Sequence, residues 1–164
     1  MRVGLLYNPE NTSAQGYLQT LRQVAPRLGV ILVPLAARDA ATIEDVIGRF
    51  TAEPNGALLL PPDVTIYTYR DRIIALAEKR RLLAVYSSRP DVAAGGLIAY
   101  GPELRGQFRG AAEYVVRILN GEKPADLPIQ APTKYGLFVN MRSARTLGLE
   151  VPQSILARAD EIID

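Results

Sequence analysis

The chain contains no histidine, no cysteine and no tryptophan. Without His or Cys it cannot assemble a Ser-His-Asp or Cys-His nucleophile, a thiolate or imidazole zinc site, a C-x-x-C redox pair or a disulfide framework. Most common hydrolase and metalloenzyme mechanisms are excluded. Charge of one sign is also missing: 19 Lys+Arg against 17 Asp+Glu leaves a net +2, and the cations are spread from Arg2 to Arg158. That balance does not point to a nucleic-acid partner. No run reaches the roughly 18 to 20 apolar residues of a membrane span, and the start, Met1 to Tyr7, lacks the apolar core of a signal peptide. The chain as given is expected to be soluble and unprocessed.

What remains is 164 residues, 48% of them hydrophobic, enough for one domain with a core of its own. Five short apolar runs stand out: Arg2 to Tyr7, Val30 to Leu35, Ala57 to Leu60, Leu82 to Tyr86 and Leu97 to Tyr100. Continuous runs of this length suit strands covered on both faces, as in a parallel sheet. Between them the period becomes helical. Tyr17, Leu18, Leu21, Val24, Ala25 and Leu28 form one stripe, with Ser13 as the expected N-cap and Gly29 as the stop. Ile43, Val46, Ile47 and Phe50 form a second after Thr42, with Asp45 in a capping-box position. A third runs from Ile66 to Ala77 and ends in Lys79-Arg80-Arg81. The fourth carries Leu104, Phe108, Ala111, Val115 and Leu119 and closes at Asn120-Gly121. The alternation predicts an α/β fold, an open, doubly wound parallel sheet of Rossmann-like or flavodoxin-like type.

Residues 1–123 make up this lobe. Residues 124–164 form a C-terminal segment in which Pro124, Pro128 and Pro132 space out an extended stretch before a strand at Tyr135 to Asn140 and two short helices. That tail holds Leu137, Phe138, Val139, Leu147, Leu149, Ile155, Leu156 and Ile162. So much apolar surface has to bury itself, on the lobe's own sheet or in a homodimer through the tail.

Ligands of an open parallel sheet bind outside the carboxyl ends of its strands. Those ends here carry Tyr7-Asn8, Ala36-Ala37-Arg38, Pro61-Pro62-Asp63, Tyr86-Ser87-Ser88 and Tyr100-Gly101. A tyrosine can stack on a planar ligand while its hydroxyl donates a hydrogen bond, although a strand-end Tyr can equally be a rim-of-core residue. The loop Asn8 to Ser13 leads into a helix N-terminus that could hold a carboxylate, while Ser13 and Asp63 could equally be helix caps. No Gly is followed by Lys, and the turn after the first strand has no G-x-G-x-x-G, so a nucleotide cofactor is not expected. Asp63 with Lys79 or Lys134 could be imagined as an acid/base pair, but nothing in the spacing brings a lysine to the strand ends. No catalytic residue, metal or cofactor is expected.

The run Tyr100-Gly101-Pro102-Glu103-Leu104 through Ile118-Leu119-Asn120-Gly121-Glu122-Lys123-Pro124 to Gln130 resembles the ABC-transporter substrate-binding proteins related to tryptophan-binding lipoproteins. Pro132-Thr133-Lys134-Tyr135, Leu147-Gly148-Leu149, Val151-Pro152 and Ala157-Arg158-Ala159-Asp160-Glu161 resemble that family's C-terminal run. Leu6-Tyr7-Asn8-Pro9 looks like the opening of its second lobe.

The resemblance implies a bilobed, periplasmic-binding-protein-like molecule that closes on a small solute and delivers it to an ABC permease outside the cytoplasm. This chain would be the second lobe and the C-terminal hinge-crossing segment, without the N-terminal lobe. By the same resemblance the ligand is read by Asn8, Asn11 and Ser13, by Asp63, and by the loops around Tyr86 and Tyr100-Gly101. Relatives that bind aromatic amino acids tend to have Asn directly after that Asp; Val64 stands here. The helices near Ser143 to Leu147 and Gln153 to Ala159 would pack partly on the missing lobe. Two other readings share the architecture. They are the effector-sensing domain of a transcriptional regulator and a flavodoxin-like enzyme, the second disfavoured by the missing phosphate loop.

Overall fold

The apolar run at the start of the chain forms β1 (Arg2–Tyr7), which ends where Asn8-Pro9 turns into α1 (Thr12–Val24). The computed structural model describes residues 1–164. Pro26 ends the helical pattern as its missing N–H requires, and the chain tightens into a 3₁₀ turn, Ala25–Leu28. Gly29 stops that turn at φ +64°, a conformation that costs a residue with a Cβ and costs glycine nothing. Then follow β2 (Ile31–Ala36), α2 (Ala40–Phe50), β3 (Gly56–Leu59), α3 (Val64–Thr68), α4 (Arg70–Lys79), β4 (Leu83–Tyr86), α5 (Arg89–Ala93), β5 (Ile98–Pro102) and α6 (Leu104–Leu119). The tail adds β6 (Tyr135–Asn140), α7 (Met141–Leu147), α8 (Gln153–Leu156) and β7 (Glu161–Ile163).

The strands form one sheet in the order β2-β1-β3-β4-β5-β6-β7. The first five are parallel, as the continuous apolar runs predict. β6 lies antiparallel to β5 and β7 parallel to β6, so the complete sheet is mixed. The direction of β6 follows from the chain path: the long excursion from Leu104 to Lys134 leaves and rejoins the sheet at the same edge.

Side chains alternate across the sheet, and one face carries the main core. There Leu6, Leu35, Leu58, Leu60 and Ala84 pack against Ile43, Ile47 and Phe50 of α2 and Ile73 and Ala77 of α4. Leu6, Ile43, Ile47, Leu58 and Ile73 are almost wholly removed from water, which stabilises each by roughly 1.5–3 kcal/mol. On the opposite face Leu5 is buried, as are Ala14 and Leu18 of α1.

Local punctuation departs from the sequence expectation in three places. α1 is capped by Asn11, whose Oδ1 accepts from the Ser13 N–H at 3.0 Å, so Ser13 is capped instead of capping. The capping box of α2 is Asp39 with Thr42, while Asp45 pairs with Arg49 along the helix. The single helix expected from Ile66 to Ala77 breaks at Tyr69, and α5 lies unannounced between the fourth and fifth runs.

The tail folds onto the lobe's own sheet through β6 and β7, one of the two outcomes expected of it, and only the placement of α7 differs from the expectation of packing on a missing lobe. α7 packs on this lobe: Ala144 is fully buried and the Ser143 hydroxyl donates to the Gly95 carbonyl at 2.7 Å. Phe138 and Ile163 pack against the main core. α6, the longest helix, has no buried residue. No helix of the chain is long and apolar enough to cross a membrane.

Candidate functional site

Strand order 2-1-3-4-5 reverses between β1 and β3, and an open α/β sheet takes its ligands outside the carboxyl ends of the strands at such a point. The sequence places an Asn-rich turn after β1 and Pro61-Pro62-Asp63 after β3, and the fold brings them into hydrogen-bond contact. Asn11 Nδ2 donates to Asp63 Oδ2 at 2.7 Å, and Asn8 Nδ2 donates to Thr65 Oγ1 at 2.9 Å. The other Asp63 oxygen accepts from the Thr65 N–H at 2.7 Å, which caps α3. Asn8 Oδ1 takes the Glu10 N–H at 2.9 Å and so shapes its own turn. Both carboxylate oxygens of buried Asp63 are therefore committed within the protein. Its role is to lock two loops together across the switch point. Nothing positions it as a free base.

A second cluster follows β4. Tyr86 is buried on the core face, so its ring does not line the mouth. Burial, reinforced by the nearby Asp91 carboxylate, pushes its hydroxyl well above the ordinary tyrosine range and keeps it neutral. Ser88 starts α5 in a capping box: Asp91 Oδ2 accepts from the Ser88 N–H at 3.1 Å and from its hydroxyl at 2.7 Å. Asp91 Oδ1 is buried without a partner, and Asp91 itself is 1% exposed. Gly101 closes this corner. A Cβ on it would stand 1.9 Å from the Ser87 carbonyl oxygen, so only glycine lets β5 run this close to the β4 exit.

Burial raises the Asp91 pKa above the ordinary 3.8, and the Ser88 hydrogen bonds only partly oppose this. A carboxyl whose folded pKa is raised contributes stability below its unfolded value and loses it as pH rises through the folded value. Asp91→Asn removes that titration. In denaturant melts the stability of the variant relative to the parent should therefore increase from pH 4 toward neutrality; a difference that does not vary with pH would contradict this account.

The third part of the mouth lies where β5 meets β6. The Tyr100 and Tyr135 rings stack at 5.7 Å between centroids with 23° between planes, and both are about half exposed. Beside them an open cleft of about 550 Å³ is lined by Ser88, Arg89, Glu103, Arg105, Lys134 and Glu161, among others. Arg89 grips Glu161 with two nitrogens at 2.6 Å, and Lys134 Nζ lies 2.9 Å from Glu103. The charges are largely paired off, leaving a polar rim of low net charge. A separate cavity of about 170 Å³ lies between α4 and α7 toward the amino ends of β4 and β5, with Tyr86 in its lining.

Of the residues expected to meet a ligand, Asn8, Asn11 and Asp63 come together in one network, and Tyr100 and Gly101 stand at the far side of the same edge. Tyr7 is partly buried at the end of β1, Ser13 is exposed on the first turn of α1, and Tyr86 is in the core. Thr65, Asp91 and Tyr135 were not among them. Asp63-x-Thr65 and Ser88-x-x-Asp91 carry recognisable cap spacing, whereas Tyr135 becomes part of the mouth only through antiparallel pairing. No three acidic side chains cluster as a metal site would require. The geometry offers amides, hydroxyls, exposed backbone and two stacked rings, a surface suited to holding a small polar molecule with a planar or apolar part.

The family model for ABC transporter substrate binding protein matches residues 1–163. Three solved structures share the fold. A conserved domain protein from Vibrio cholerae superposes with a TM-score of 0.89 at 24% identity, covering 98% of this chain and 54% of that one. An ABC domain in complex with L-Trp from Streptococcus pneumoniae gives 0.88 at 22%, covering 99% and 56%. The ligand-free, open structure of a substrate-binding protein with adhesive properties from Clostridium difficile gives 0.73 at 19%, covering 99% and 54%. The chain thus spans about half the length of each. A comparison with curated proteins gives no match.

Proposed function

The chain belongs to the family of ABC transporter substrate-binding proteins, and from that premise we propose that it forms one wall of a solute cleft and works for an importer outside the cytoplasm. The observation that carries this reading is the Asn8, Asn11, Asp63 and Thr65 network at the switch point. It spends its polar groups on fixing loop geometry, which suits capture by a preformed surface and leaves no acid or base free for chemistry. The solute is a small molecule, an amino acid or a small organic solute. It meets the amide-rich turn after β1, the exposed start of α3 at Val64 and the Tyr100 and Tyr135 rings. A permease is the downstream partner.

A two-lobed cleft is the second part of the proposal. It is supported by the half-length coverage of the three structures and by α6, an amphipathic helix left without any buried residue. Hinge closure between lobes would do the work, with no covalent step. Affinity then depends on both walls, and one wall alone binds weakly. Isothermal titration with a panel of amino acids and small carboxylic acids should show saturable binding to a two-lobed form and binding at least about a hundredfold weaker to a single lobe, about 2.7 kcal/mol. Absence of binding for every solute, together with turnover of any of them, would reject the proposal.

A further inference from the structure

We propose that the cavity between α4 and α7 is a second binding site, which takes a small neutral ring molecule carrying one hydrogen-bond acceptor. Its volume is about 170 Å³, comparable to the roughly 150 Å³ of an apolar protein cavity that takes up benzene. The mouth built by Asn8, Asn11 and Asp63 has no part in it.

The residues that line the space also explain why it is there. Leu82, Ala84 and Tyr86 alternate along β4 onto the core face, and with Leu97 they give the cavity its floor. Ile74 and Ala77 of α4 form one wall and Leu147 of α7 another. Where larger side chains would close the gap, the chain has Ala77, Ala84, Ala94 and Gly95. Gly95 sits at φ +115°, a conformation that a residue with a Cβ adopts only under strain, so that corner stays open. α7 is held at this spacing by two bonds to the end of α5 and the turn after it. The Asn140 amide donates to the Val92 carbonyl at 3.0 Å, and the Ser143 hydroxyl donates to the Gly95 carbonyl at 2.7 Å.

Tyr86 is the group that points to a ligand. Its side chain is 2% exposed, yet its hydroxyl has no hydrogen-bond partner in the protein. Nor is that hydroxyl sealed in, since the one sealed side-chain atom without a partner is Asp91 Oδ1. It therefore opens on the cavity that Tyr86 lines. The ring lies against Gly96, where an added Cβ would stand 2.8 Å from Tyr86 Cε2. This turns it from the carboxyl end of β4 back toward the start of β5, where the cavity is.

The chemistry of the occupant follows from these groups. A buried hydroxyl without a partner is costly, and an acceptor on a ligand removes that cost. Burial and the nearby Asp91 carboxylate keep the phenol protonated, so it donates. The same carboxylate opposes an anion beside it, which leaves an uncharged oxygen as the acceptor. At the rim Glu78 and Arg142 are exposed and opposite in sign, so the entrance does not draw an ion of either charge. A water held in place needs about two to four polar partners, and the floor supplies the Tyr86 hydroxyl alone.

Cyclopentanone, which has one acceptor and no donor, is the probe, and cyclopentane is the same ring without the acceptor. Titration of the chain followed by amide NMR should give saturable one-site binding of cyclopentanone with a Kd of about 1 mM. The shifts should be confined to α4, α7 and the turn from Ala94 to Leu97. Tyr86→Phe deletes a hydroxyl that leaves no partner behind, so melting should match the parent while cyclopentanone binds about fivefold or more weakly. Cyclopentane should bind that variant as it binds the parent. Ala77→Leu fills the space, so it should melt no lower than the parent and bind neither probe. Asp63→Ala, which disrupts the mouth, should leave cyclopentanone binding unchanged, so this site and the solute cleft stand or fall separately. The proposal would be overturned by no saturation up to about 20 mM cyclopentanone, by equal losses of both probes in Tyr86→Phe, or by undiminished binding in Ala77→Leu.

Discussion

Gly101→Ala is expected to cost about 3 kcal/mol, the upper end of overpacking penalties, because what it meets is backbone. The added Cβ would stand 1.9 Å from the Ser87 carbonyl oxygen and 2.9 Å from its carbon. No rotamer change relieves a clash between two main chains, so β5 has to move away from the β4 exit. The pairing there is short, Val85 with Ile98 and Tyr86 with Ala99, and has little to hold it. For a chain of this size the loss corresponds to a fall of about 6–12 °C in Tm. Thermal unfolding measures it directly. Gly16→Ala is the matched control: a Cβ there meets nothing within 4 Å on α1, so the same chemical change should stabilise by up to about 1 kcal/mol. Equal effects at the two sites would refute the close-approach explanation.

Asp63→Ala should have the largest effect on ligand capture. It removes the acceptor for the Thr65 N–H and for Asn11 Nδ2 together, so α3 loses its cap and the turn after β1 loses its tie to the neighbouring loop. Loss of the cap and orphaning of a partly buried amide together cost about 2 kcal/mol. Solute affinity of the two-lobed form should fall about tenfold or more, since the loops would have to be ordered on binding. Asp63→Asn separates the two roles. It keeps an acceptor for Thr65 but turns an amide N–H₂ toward Asn11 Nδ2, itself a donor, so the cap on α3 should be retained while the tie to the turn after β1 is lost and affinity still drops. Calorimetry on both variants tests this, and an unchanged affinity in Asp63→Ala would remove the network from the site.

The resemblance named Asn8, Asn11 and Asp63 as ligand readers, and the structure shows what else they do. Their hydrogen bonds join residues 52 and 57 positions apart. No local periodicity marks such a pair, because the contact exists only once β1 and β3 lie side by side. Tyr86 illustrates the reverse limit. A tyrosine closing an apolar run reads the same whichever face it occupies, and only the one-residue alternation against Ala84 and Ala99 turns it into the core. Asn11 caps α1 where the sequence predicts Ser13 for a smaller reason: both residues are good caps, and where β1 releases the chain selects between them.

The sequence by itself determined the local and periodic features. These are the five parallel strands, the amphipathic helices between them, the stops at Gly29 and Asn120-Gly121, and the absence of His and Cys that removes nucleophile and zinc chemistry. Each is written in neighbouring residues, where apolar spacing and backbone preference act directly. The tertiary structure alone decided that β6 enters antiparallel, that α7 packs on this lobe while α6 stands bare, and that Asp63 is a lock between loops. Those outcomes depend on which surfaces meet after the chain has turned. An apolar stripe such as that of α6 says that a partner surface is needed, and only the assembled sheet shows which surfaces are already taken.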